Sequence, residues 1–208
     1  MTEDYQQFDD LNSFEESELE PKSSRKRQLI VAIICVLIVV LLAVSLALII
    51  KTYVISTYTV DGVSMYPTLD GGAGASLDSD RNNGETLYLN RLAKVKRGDI
   101  VVFIPKWSGM GDKALVKRVI AVAGDHLQIV DGKVWLNGAV LDEPYINEAM
   151  NHNYDGLVDV VISDGYIFCM GDNRNHSSDC REYGQVSLDT LVGKCFLIKG
   201  LNGKLRKP

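Results

Sequence analysis

No C-x-x-C pair occurs among the four cysteines of this 208-residue chain, and without such spacing a zinc site is not expected. Cys35 lies in an apolar run and reads as a small packing residue. Cys169, Cys180 and Cys195 are odd in number, so one disulfide with a free thiol and three free thiols both fit. A basic excess is also missing. The formal charge is −5, which makes nucleic acid an unexpected partner. There is no internal repeat, and no helical period of any length outside one apolar run. Solenoids and helical bundles are thereby excluded. Histidines are few: His126 and His152 stand in loop-like stretches and are expected in solvent, which leaves His176.

The charge that is present is unevenly placed. Residues 1–20 carry eight acidic and no basic side chains, while 21–28 carry Lys22, Arg25, Lys26 and Arg27. Residues 1–28 are expected to form a disordered tail without apolar periodicity. Leu29 to Ile50 follows, 22 residues without a charge. At about 1.5 Å per residue this is roughly 30 Å, the thickness of a bilayer's hydrocarbon core. The run is too long for a cleaved signal peptide, whose apolar region is about 7–15 residues. A retained transmembrane helix over 29–50 is therefore predicted. The basic cluster before it places the tail in the cytoplasm and residues 51–208 outside, with the chain in contact with membrane lipid.

Beyond the helix, strands are expected over Thr52–Val60, Glu85–Asn90, Asp99–Pro105 and Leu115–Val122. Gly71–Ala75 and Asp78–Gly84 read as mobile loops. Asp131-Gly132 joins Leu127–Val130 to Lys133–Leu136 in a hairpin, and Asn137-Gly138 turns the chain again. Further strands are expected near Gly165–Met170 and Gly193–Lys199. The fold class is mostly β: several short antiparallel, coiled sheets in an extracytoplasmic domain, preceded by one transmembrane helix. Residues of about 126–165 read as a smaller, hairpin-containing insertion.

Three segments carry chemistry. Val60-Asp61-Gly62-Val63-Ser64-Met65-Tyr66-Pro67-Thr68 sets a serine between a permissive glycine and a stiffening proline. Leu115-Val116-Lys117-Arg118-Val119-Ile120 buries a lysine in apolar company. Such a setting can hold the amine neutral, and a neutral lysine can take a serine's proton. Strand alternation puts Lys117 and Arg118 on opposite faces. The third segment, Gly171-Asp172-Asn173-Arg174-Asn175-His176-Ser177-Ser178-Asp179-Cys180-Arg181, is a polar loop after an apolar strand. In it Ser177 can orient a lysine amine, Asp179 and Arg181 can neutralise each other, and Asp172 is a partner for Arg118.

Together these segments, with Arg97–Phe103, resemble the ordered boxes of type I signal peptidases, membrane-bound Ser/Lys serine proteases. The resemblance covers residues from about 29 to 198. It implies Ser64 as nucleophile and Lys117 as general base. Ser177 becomes the lysine-orienting hydroxyl, with Asp179, Arg181, Arg118 and Asp172 in support. It implies no cofactor and no metal. The substrates would be secretory preproteins with Ala-x-Ala-type signal peptides, seated against Tyr58, Val60, Met65, Leu115 and Val116. Two departures stand out. Gly62 replaces a serine that supplies a second oxyanion donor in some members. Cys180 stands where the family has serine, which raises sensitivity to oxidation.

Other classes were weighed. A Ser–His hydrolase using His176 would need a base adjacent in sequence to Ser177, a poor arrangement. A non-catalytic β-rich binding module would be expected to have lost Ser64 or Lys117. A self-cleaving Ser/Lys regulator would need an internal cleavage segment and a nucleic-acid-binding domain, and neither is visible.

Overall fold

The computed structural model describes residues 22–72, 84–109 and 111–208. The acidic stretch 1–20 and most of the two glycine-bearing loops expected near 71–84 lie outside the described residues. Helix α1 runs from Lys22 to Ile49. It starts ahead of the uncharged run, so residues 22–28, expected as tail, are helical; lysine and arginine are good helix formers. Arg25–Val54 is long and apolar enough to cross a membrane. Its one central hydroxyl, Ser45 Oγ, donates to the Leu41 carbonyl at 2.8 Å, which leaves no bare donor on an apolar surface.

The chain divides after Ile49, and the second unit holds all the strands. The strand expected from Thr52 starts late. Ile50–Val54 forms a π-helical turn, and β1 covers only Ile55–Thr59. The β-branched residues at 52 and 54 do not break the helical run ahead of them. The other strands are β2 (Thr86–Asn90), β3 (Ile100–Phe103), β4 (Leu115–Val122), β5 (His126–Val130), β6 (Lys133–Leu136) and β7 (Ala139–Val140). They continue with β8 (Asp159–Val161), β9 (Tyr166–Met170), β10 (Val186–Ser187), β11 (Leu191–Lys199) and β12 (Leu205–Arg206).

Two antiparallel sheets result. The larger has the order β1-β2-β11-β3-β4-β9-β10, with β12 on β11; the smaller has the order β7-β6-β5-β8. In the β5–β6 hairpin Asp131 and Gly132 take φ of 52° and 65°, the positive pair that a tight primed turn requires.

Strands β3 and β4 are central. All of Ile100–Phe103 is buried, as is Val116–Ala121. One apolar cluster packs Val101, Phe103 and Val119 with Leu127, Ile129 and Val134 of the smaller sheet. The other packs Ile100, Val102 and Val116 with Val60, Met65, Leu69 and Leu87. Apolar residues are needed on both faces, so these strands read as continuous runs. Truncating the fully buried Phe103 to alanine should cost about 3–5 kcal/mol.

Candidate active site

The segment after β1 is a closed loop. Val60 N–H donates to the Glu85 carbonyl and Glu85 N–H to the Asp70 carbonyl, each at 2.9 Å, which ties residues 60 and 70 to one point. Inside it, Gly62 takes φ of 86°, and Tyr66 N–H donates to the Val63 carbonyl at 3.0 Å. Met65 and Leu69 are fully buried in the core. Ser64 therefore rides on a turn pinned from beneath, with a cis Tyr66–Pro67 bond at its exit.

Strand β4 brings Lys117 to this turn. Lys117 pairs in register with Val101, and its residue surface is 3% exposed. Its Nζ lies 2.8 Å from Ser64 Oγ. Among the described residues no carboxylate lies within ion-pair distance of this amine. Its pKa is lowered from the ordinary lysine value of 10.5, chiefly because burial disfavours the ammonium. Asp179 and the thiols of Cys169 and Cys180 pull the other way; Arg181 adds to the lowering.

The neighbouring cation is treated differently. Arg118 Nε and Nη2 reach Asp172 Oδ1 and Oδ2 at 2.8 and 2.6 Å, a bidentate pair, as expected. Its Nη1 donates to the Gly98 carbonyl at 2.9 Å, and the guanidinium stacks 4.1 Å from the Tyr145 ring centroid. Asp172 is completely buried.

Asp179 organises the loop after β9. It accepts from Arg181 Nε at 2.8 Å, from Arg181 Nη2 and Gly171 N–H at 2.9 Å each, and from Ser177 Oγ at 2.8 Å. Ser177 was expected to orient Lys117. Its hydroxyl instead donates to Asp179, a stronger, charged acceptor, and it makes no hydrogen bond to Lys117 among the described residues. Gly171 packs against the turn that carries Ser64. A Cβ there would collide with the Ser64 carbonyl oxygen and the Ser177 side chain.

A cleft of about 200 Å³ opens beside Ser64 and Lys117, lined by Tyr58, Asp61, Gly62, Val63, Ala114, Leu115, Val116, His176 and Ser178, among others. Tyr58 OH spans it by donating to the Ala114 carbonyl at 2.9 Å. An exposed Lys113–Asp61 pair at 3.5 Å stands at its mouth. Of the residues expected to seat substrate, Tyr58, Leu115 and Val116 are at this cleft. Val60 and Met65 are not: they are 1% and 0% exposed and form packed floor beneath the turn. Strand β4 also offers a free edge here. Its pairing with β9 begins at Arg118↔Met170, so among the described residues Leu115–Lys117 pair only with β3.

Sequence reasoning missed several residues. Asn173 donates from Nδ2 to the Val63 carbonyl at 3.0 Å and from its backbone N–H to the Ser64 carbonyl at 3.1 Å. Its Oδ1 is buried without a hydrogen-bond partner among the described residues. Arg174 is buried in a bidentate pair with Glu143, which also accepts from Tyr145 OH. Both residues stood in the Gly-Asp-Asn-Arg box, but nothing local marked their partners. Cys180 is 2% exposed, its sulfur accepting from Cys169 N–H at 3.1 Å, and burial pushes the Cys169 thiol pKa up. The burial of Cys180 opposes the oxidation sensitivity expected there. His126 and His152 pair with Asp159 and Asp155, each at 2.6 Å. His176 lines the cleft, but the amine at Ser64 is that of Lys117.

Comparison with known proteins decides the family. The model for signal peptidase, peptidase S26, matches residues 31–199. The chain belongs to the signal peptidase S26 family. Signal peptidase I S of Bacillus subtilis (strain 168) is 35% identical over 148 residues, 65% of this chain and 71% of that protein. Signal peptidase I of Bacillus caldolyticus is 32% identical over 160 residues, covering 70% and 79%. Thylakoidal processing peptidase 1 of Arabidopsis thaliana is 31% identical over 145 residues, 65% of this chain but only 39% of that protein. Among solved structures, a signal peptidase I of Enterococcus faecalis V583 is 28% identical, with a TM-score of 0.40 over 49% of this chain and 96% of that one. Membership in the family carries the class of enzyme, a serine protease that removes signal peptides, and the class of substrate, secretory preproteins.

Proposed function

We propose that this chain is a membrane-anchored endopeptidase that removes signal peptides through an acyl-enzyme built on Ser64, with Lys117 as base. The observation that carries the reading is the 2.8 Å contact between Ser64 Oγ and a buried lysine amine of lowered pKa. Neutral Lys117 takes the Ser64 proton as Oγ bonds to the scissile carbonyl carbon, and the carbonyl π pair moves onto oxygen. The Ser64 N–H stabilises that oxygen. Collapse expels the amine of the mature protein, which receives its proton from Lys117. Water then attacks the ester carbonyl and gives its proton to the Lys117 amine; the acyl–Oγ bond breaks, the signal peptide leaves with a free carboxyl group, and Lys117 returns the proton to Ser64 Oγ.

The substrate lies extended along the free edge of β4, where backbone groups of Leu115–Lys117 bind it as an added strand. Its small residues, of the Ala-x-Ala kind, face Tyr58, Leu115 and Val116. Helix α1 anchors the chain, with the basic residues at its start on the cytoplasmic side and the catalytic domain on the other. Asp179, Arg181, Ser177, Arg118 and Asp172 hold the loop that backs the dyad.

The test is cleavage of a purified preprotein by wild type, Ser64→Ala and Lys117→Met, each also incubated alone. The account expects precursor cleavage by wild type only, with the enzyme itself intact. Turnover by folded Lys117→Met at the wild-type rate would overturn the dyad; self-cleavage without precursor cleavage would favour a self-processing regulator.

A further inference from the structure

The peptide unit between Val63 and Ser64 is planar and trans, so its carbonyl and its N–H point in opposite directions. Whatever fixes the Val63 carbonyl fixes the aim of the Ser64 N–H. Two donors converge on that carbonyl, Tyr66 N–H and Asn173 Nδ2, both at 3.0 Å. The first belongs to the turn itself. The second comes from the loop after β9 and is 5% exposed as a residue. That same residue's N–H grips the next carbonyl, Ser64 O, at 3.1 Å. Its two sequence neighbours are locked in buried pairs, Asp172 with Arg118 and Arg174 with Glu143. The donor arm is therefore rigid. Among the described residues nothing accepts from the Ser64 N–H. Gly62 carries no hydroxyl to serve as a second donor.

We infer that Asn173 is a positioning residue for the oxyanion site: its side-chain amide orients and polarises the Val63–Ser64 peptide so that the Ser64 N–H faces the developing negative charge. The inference rests on Ser64 being the nucleophile. Hydrogen bonds at a carbonyl strengthen the N–H of the same peptide as a donor. The contribution appears in the transition state and not in ground-state binding, so it belongs in kcat. A glutamine would place the donor too far along the chain, and an aspartate would face the Val63 carbonyl with a second acceptor.

The experiment compares wild type, Asn173→Asp, Asn173→Ala and Ser64→Ala in the full chain. It measures kcat and KM on a preprotein and the affinities of a peptide aldehyde and the matching peptide alcohol. The aldehyde carbon bonds to Ser64 Oγ, its oxygen gains the π pair, and Lys117 takes the Ser64 proton; the alcohol forms no such bond. For both Asn173 variants kcat should fall about 10–100-fold with KM within about two-fold. Aldehyde affinity should fall by a similar factor, with alcohol affinity unchanged. Equal losses for aldehyde and alcohol, wild-type kcat in either folded variant, or failure of both variants to fold by circular dichroism would each overturn the assignment. Ser64→Ala separates the levels. If it is inactive while Asn173→Asp cleaves at the wild-type rate, only the positioning role fails. If Ser64→Ala cleaves, the reading beneath it fails.

Discussion

Lys117 and Arg118 are adjacent on β4, both buried, and in opposite electrostatic settings. Arg118 faces a buried carboxylate in bidentate contact and an aromatic ring, so its charge is matched. Lys117 faces a hydroxyl and apolar packing, with Asp179 contributing only through space. Burial without a carboxylate partner pushes the Lys117 amine toward its neutral form, while the buried guanidinium is matched by Asp172. The same strand thus carries an ion-paired cation on one face and an unpaired amine against Ser64 on the other. What differs is the placement of a single carboxylate. Asp179, the other buried carboxylate of the site, is occupied by Arg181, Ser177 and the Gly171 N–H.

The contrast can be broken most severely at the dyad. Ser64→Ala and Lys117→Met should each lower precursor cleavage by about 10⁴-fold, read as initial rates, with the far-ultraviolet spectrum unchanged. On the other face, stability should suffer instead. Asp172→Asn leaves Arg118 buried and unmatched and should cost about 3–5 kcal/mol in urea unfolding. Lys117→Met removes a poorly solvated amine and should carry no such penalty.

A pH titration of stability sharpens the point. Lys117 has a folded pKa below its unfolded value of 10.5, so between the two the unfolded chain binds more protons. Stability should rise with pH across that window in wild type. Lys117→Met should lack this increment. A smaller effect is expected at the cleft wall. Leu115→Phe should narrow the cleft and shift cleavage toward smaller residues, read by mass spectrometry of the products.

Much of this was legible in the chain. The alternation around Lys117 placed it and Arg118 on opposite faces, and the Asp131-Gly132 hairpin formed where its turn chemistry required. The pairings of Arg118 with Asp172 and of Asp179 with Arg181 also form as read. What was hidden depends on long-range contact. Val60 and Met65 are apolar residues flanking Ser64, and such residues look alike whether they line a cleft or fill a core. Ser177 had two polar groups in reach, and only the fold shows that Asp179 holds it. Asn173 acts across 110 positions of sequence, and no local pattern predicts the Val63 carbonyl as its acceptor. The π-helical turn at Ile50–Val54 defeated a strand reading based on β-branched residues, because the preceding helix carries the chain past them.

The central claim is that Lys117 is neutral when Ser64 needs its proton taken. The most direct measurement is a titration of the Lys117 Nζ resonance in ¹⁵N-lysine-labelled wild-type protein, assigned by its absence from Lys117→Met. The account predicts a midpoint well below 10.5. A midpoint at or above that value would contradict it.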